Sequence, residues 1–125
     1  MEFVVNPNSK DTIYEQIIFQ IKLSIANGGL RVGDSVPSVR NLAKSLSVST
    51  LSVQRAYTEL QKEGIIESTE GKGNYVSANL SKSSLKDALI KAVEEEALRI
   101  IRIAKQNGIE LPELQELIQI LWEDN

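Results

Sequence analysis

The chain has no cysteine and no histidine among its 125 residues. The first absence excludes a disulfide framework and a thiolate metal site. The second removes the side chain most used as a general base, as a switch near neutral pH and as a metal ligand. Nor is there an apolar run of about 18 residues or a basic-then-apolar leader, so neither a membrane span nor a signal peptide is expected. No internal repeat or low-complexity segment stands out, and no carboxylate pair marks a pocket. Little chain is left for a substrate pocket once a core is built, so no enzyme and no cofactor are expected. A basic surplus is missing as well: the net charge is −3. That sum hides a split. Residues 1–80 carry eight basic and eight acidic side chains, whereas residues 81–125 carry six and nine. The acidic excess belongs to the tail, and the first part can still present a local positive face of the kind a DNA reader needs.

What is present is mostly helical periodicity. Asn6-Pro7-Asn8 is a turn signal, after which Asp11 is expected to cap a first helix reaching residue 27. Ile13, Ile17, Ile18, Ile21 and Ile25 recur at helical spacing and form one apolar stripe. Asn27-Gly28-Gly29 ends that helix. Residues 30–37 form a loop with a Gly33-Asp34 turn and room for one short strand. Ser38 caps a short second helix with Leu42, Ala43 and Leu46. Ser47-Val48-Ser49-Thr50 makes a tight polar turn, and Ser49 caps a third helix to residue 63 whose inner stripe is Val53, Ala56, Tyr57 and Leu60. Two short strands, 65–68 and 74–77, flank a glycine-rich tip at 69–73. Helices separated by a short turn and followed by a hairpin make a winged helix-turn-helix, here spanning residues 34–76. Past a serine-containing link at 81–84, a long helix over 85–106 and a last one over 112–122 complete the chain. The fold class expected is therefore mainly α with a small β-hairpin wing: a DNA-binding domain over residues 1–78, and an α-helical dimerisation tail over 79–125.

Five fragments, in this order, carry a resemblance: Tyr14-Glu15-Gln16-Ile17, Gly33-Asp34-Ser35-Val36-Pro37-Ser38-Val39-Arg40-Asn41-Leu42-Ala43, Val53-Gln54-Arg55-Ala56-Tyr57-Thr58-Glu59-Leu60, Glu63-Gly64-Ile65-Ile66 and Gly71-Lys72-Gly73. Together they resemble the GntR family of transcription regulators, and the short two-helix tail is most similar to its YtrA-like subfamily. The resemblance implies a cytoplasmic bacterial repressor that binds a palindromic double-stranded DNA operator as a homodimer. A small-molecule effector of unknown identity is conceivable, although the tail is too short for a separate effector domain. The competing expectation is a protein-interaction adaptor that uses the winged fold and the tail without DNA.

Each candidate DNA-binding residue has its own chemistry. Ser38, the cap of the second helix, is one of them, and Arg40 just after it can grip a phosphate or a guanine edge with two bonds. Lys44 is placed for a phosphate. Ser49, Thr50 and Ser52 offer three hydroxyls at the start of the third helix, where free backbone amides also favour phosphate, and Gln54 adds an amide. Leu51 departs from the polar residue many relatives carry there; it either presses on a thymine methyl or packs inward. Arg55 either contacts a phosphate or pairs with Glu59 one turn on. Gly71 and Gly73 let the wing backbone approach a minor groove, and Lys72 supplies a cation.

In the tail, Leu85, Leu89, Ala92, Val93, Ala97, Ile100, Ile101 and Ala104 recur at spacings of three and four, with Leu114, Leu117, Ile118, Leu121 and Trp122 on the last helix. Leu89, Val93, Ala97, Ile100, Ile101, Leu114, Leu117, Ile118 and Leu121 are the expected dimerisation residues, because so much apolar surface on two helices needs a partner. Glu94-Glu95-Glu96 reads as a solvated helix face rather than a metal site.

Overall fold

A computed structural model of the chain describes residues 3–125; the parts of the expectations that touch residues 1 and 2 lie outside it. The first helix, α1 (Ile13–Ala26), is capped by Thr12 rather than Asp11. The Thr12 hydroxyl accepts from the Glu15 amide at 3.3 Å while the Glu15 carboxylate accepts from the Thr12 amide at 3.1 Å, a reciprocal capping pair. The isoleucine stripe behaves as its spacing predicts. Ile17 and Ile21 are fully buried, and Ile13, Ile18 and Ile25 pack against the same core.

Helices α2 (Val39–Leu46) and α3 (Thr50–Lys62) start at the expected serine caps, Ser38 and Ser49. Between them Ser47 takes the left-handed conformation, φ 56° and ψ 44°, which ends α2 and lets α3 begin three residues on. Leu42 and Ala43 from α2 and Val53, Ala56, Tyr57 and Leu60 from α3 enter the same core as the α1 isoleucines. Gly64, at φ +73°, ends α3 in a conformation that a β-carbon disfavours.

The hairpin consists of β1 (Ile66–Thr69) and β2 (Gly73–Val76), antiparallel, with Ile66 opposite Val76 and Thr69 opposite Gly73. Both strands sit one residue from their expected places. The Lys72 amide bonds the Thr69 carbonyl at 3.0 Å, which closes a tip of three residues, Glu70-Gly71-Lys72, and brings Thr69 and Gly73 into the ladder. The loop before α2 lies along β2: Ser35 bridges Tyr75, and the Val36 amide bonds the Asn74 carbonyl at 3.0 Å.

The chain divides into two compact units, the first ending at Leu89 and the second running from Ile90 to Asn125. Helix α4 (Ser83–Gln106) contributes to both. In the first unit its Leu85 joins the core. The second unit holds the rest of α4 and α5 (Leu111–Glu123), which begins one residue before Pro112 because the Glu113 carboxylate accepts from the Glu110 amide at 3.3 Å. Among the described residues of this second unit only Ala104 and Leu114 are buried.

Candidate nucleic-acid interface

Helix α3 has a locked back and a free front. Its apolar stripe is buried, and three polar ties hold it from different directions. The Tyr57 hydroxyl donates to the Pro37 carbonyl at 2.6 Å, the Gln61 amide donates to Asn74 Oδ1 on β2 at 2.8 Å, and Lys22 of α1 pairs with Glu63 at 2.9 Å. Burial pushes the Tyr57 hydroxyl well above the ordinary phenol range, so it stays a donor. These ties reach α2's approach, the wing and α1, and so fix the helix against all three. None of them was legible beforehand. Each joins residues 13 to 41 positions apart, and no local pattern encodes such a pair.

The candidate DNA residues lie away from that back. Arg40 is exposed in the first turn of α2 and Lys44 in its last. Ser38 spends its hydroxyl on the Asn41 amide at 3.1 Å. The hydroxyls at the head of α3 differ from one another: Ser49 Oγ accepts from the Ser52 amide and donates to Ser52 Oγ, both at 3.1 Å. Ser52 is half-buried and Thr50 is exposed. The Gln54 amide leans along the helix and donates to the Thr58 hydroxyl at 3.3 Å. Leu51 is 79% exposed, so of its two readings the inward one is excluded.

Arg55 does not pair with Glu59. Its guanidinium lies over the Tyr14 ring, 3.8 Å from the centroid, while Glu59 stands 3.6 Å from Lys62. This stacking joins the outward edge of α3 to the start of α1. Tyr14 is thus a site-supporting residue that sequence reasoning missed; its place in a family fragment was the only signal.

At the wing tip Gly71, Lys72 and Gly73 are all exposed, and Gly71 sits at φ +84°. The hairpin behind is cross-braced by the Thr69 and Tyr75 hydroxyls at 2.8 Å. Two acids of this unit are committed elsewhere: Glu63 to Lys22, and Asp34 to the Arg31 amide at 2.8 Å. Arg40, Lys44, Arg55 and Lys72 are exposed, and so are Glu67 and Glu70 of the hairpin.

In the second unit Val93, Ile100, Ile101, Leu117, Ile118 and Leu121 are exposed, Ala97 is half-buried and Leu114 is buried. Leu89, at the end of the first unit, is also exposed. Glu96 pairs with Arg99 at 2.6 Å. Among the described residues no carboxylate group is clustered to hold a metal, and no helix is long and apolar enough to cross a membrane.

With this geometry in place, the likenesses to known proteins are specific. Residues 13–76 match the sequence profile of "Bacterial regulatory proteins, gntR family". The HTH-type transcriptional repressor YtrA of Bacillus subtilis is 38% identical over 120 residues, covering 96% of this chain and 92% of that protein. Among solved structures, YtrA from Sulfolobus acidocaldarius, a GntR-family transcription factor, is 31% identical with a TM-score of 0.58, covering 98% of this chain and 97% of its own. A GntR family transcriptional regulator from Listeria monocytogenes is 28% identical with a TM-score of 0.61, over 90% of this chain and 96% of that one.

Proposed function

The chain belongs to the gntR family of bacterial regulatory proteins and is a DNA-binding transcription regulator, and we propose that it is a cytoplasmic repressor that occupies a palindromic operator as a homodimer. The observation that carries this is the front of α2 and α3: Arg40 stands exposed on α2, and Thr50 and Leu51 stand exposed on α3, whose back is locked by Tyr57, Gln61 and the Lys22–Glu63 pair. A rigid helix with a free N-terminal end is what the major groove admits. Arg40, Lys44 and Arg55 supply phosphate affinity, the head of α3 reads base edges, and Gly71-Lys72-Gly73 reaches the minor groove. The apolar side chains left exposed on α4 and α5 support pairing of two tails, which a two-fold operator requires. No catalytic role enters this reading.

Release by a small molecule is part of the same proposal. In the first unit Ile25, Leu30, Val32, Leu80 and Leu85 help to line an apolar cleft of about 450 Å³. That size suits a small ligand.

The test is a gel shift on the promoter of the protein's own operon. Arg40→Ala is expected to weaken binding by about ten-fold, the order of one lost charged contact. A duplex with one half-site should bind far more weakly than one with two. Unchanged affinity of the variant, or equal affinity for half and full sites, would count against the reading.

A further inference from the structure

Thr50, Leu51, Ser52 and Gln54 are the side chains that the head of α3 directs away from the deepest core, and the structure sorts them by what they are free to do. Ser52 is half-buried and its hydroxyl is held by Ser49. Gln54 is engaged with Thr58. Thr50 is exposed but short. Leu51 is 79% exposed and lies opposite the buried stripe of Val53, Ala56, Tyr57 and Leu60, with the longest unencumbered reach of the four. A single exposed leucine needs no explanation on an ordinary surface. This one stands in the first turn of the helix whose N-terminal end meets base edges, where an apolar group has a single good partner. Of the four bases, only thymine presents a methyl group in the major groove.

We propose that Leu51 is a specificity-determining residue that reads the 5-methyl group of a thymine in each half-site. The proposal rests on the DNA-binding reading above and deepens it. Hydroxyl and amide groups at this helix head would choose bases by hydrogen bonds. Leu51 instead chooses by burying a methyl group, which discriminates thymine from cytosine and also from uracil. Burying one methyl-sized group corresponds to about a four-fold change in affinity for each half-site.

The experiment begins with selection of duplexes from a randomised pool by the wild-type protein. Each thymine of the selected half-site is then replaced in turn by deoxyuridine, which removes the methyl and nothing else. One position is expected to respond, losing about four-fold in affinity when one half-site is altered. Leu51→Ala should bind the thymine and deoxyuridine duplexes equally, should lose base preference at that position alone, and should keep the wild-type melting temperature, since the side chain is solvent-exposed. The proposal is overturned if wild-type protein tolerates deoxyuridine at every position, or if Leu51→Ala keeps the wild-type sensitivity; tight, selective binding in either case leaves the DNA reading standing. Failure of the wild-type protein to enrich any duplex overturns both.

Discussion

The two units treat their apolar side chains in opposite ways. In the first, Ile17, Ile21, Val53, Leu60 and Ile65 are completely buried, and every helix presents its stripe to a common core. In the second, Val93 and Trp122 are 68% and 79% exposed, and among the described residues from Ile90 onward only Ala104 and Leu114 are buried. A fully buried leucine-sized side chain contributes about 1.5–3 kcal/mol. The first unit therefore has the means to fold by itself, whereas the second has its apolar surface still to bury. On the proposed function, a reading domain must hold its shape before it meets DNA, and a pairing element gains by completing its core only on its partner.

The sharpest way to break this contrast is to truncate one isoleucine or leucine in each unit. Ile21→Ala should cost about 2–5 kcal/mol, because a fully enclosed site leaves a cavity. Leu98→Ala, on an exposed position of α4, should cost within about 0.5 kcal/mol. Urea unfolding of both variants gives the two numbers. Equal losses would mean that the units do not differ in the way their exposure indicates.

Charging the tail tests the other side. Ile100→Glu combined with Leu121→Glu places two carboxylates on exposed apolar positions. Sedimentation should show a monomer, and affinity for a two-half-site operator should fall by about 100-fold, the order lost when a second binding event ceases to be intramolecular. The thermal transition of the winged unit should persist. A dimer that survives both charges would remove the tail from the pairing surface.

How much of this could be read from residues alone also divides along the two units. In the first, Ser38 and Ser49 were legible as caps and Ile17 and Ile21 as core, because caps and stripes are local and periodic. The wing slipped by one residue because a three-residue tip is decided by one hydrogen bond, from the Lys72 amide to the Thr69 carbonyl. The Arg55 stack on Tyr14 was out of reach, since the local alternative, Glu59 at one turn's distance, looked equally good and only the packing of α1 on α3 separates them. At the site, residue types were legible but their internal bonds were not: Ser49 bonds Ser52, and the Gln54 amide bonds Thr58. In the second unit periodicity marked an apolar stripe, but a stripe does not say which of its members are covered; Leu114 is buried while Leu117, on the same helix, is not.

The smallest expected effect concerns the turn that sets α3 against α2. Ser47 holds φ 56° without being glycine, and among the described residues no other non-glycine does so. The left-handed conformation costs a residue with a β-carbon about 1–2 kcal/mol. Glycine escapes that cost but loses about 0.5–1 kcal/mol through its greater freedom in the unfolded chain. Ser47→Gly should therefore stabilise the winged unit by about 0.5 kcal/mol, read as a rise of a few degrees in its melting temperature. Ser47→Val, branched at the β-carbon, should shift it the other way. Operator affinity should be unchanged in Ser47→Gly, because the turn keeps its geometry and the front of α3 keeps its side chains. A stabilisation confined to the winged unit's transition, with the dimerisation constant untouched, would show that the two units are tuned independently; a parallel change in dimerisation would show that strain in this turn is shared with the tail.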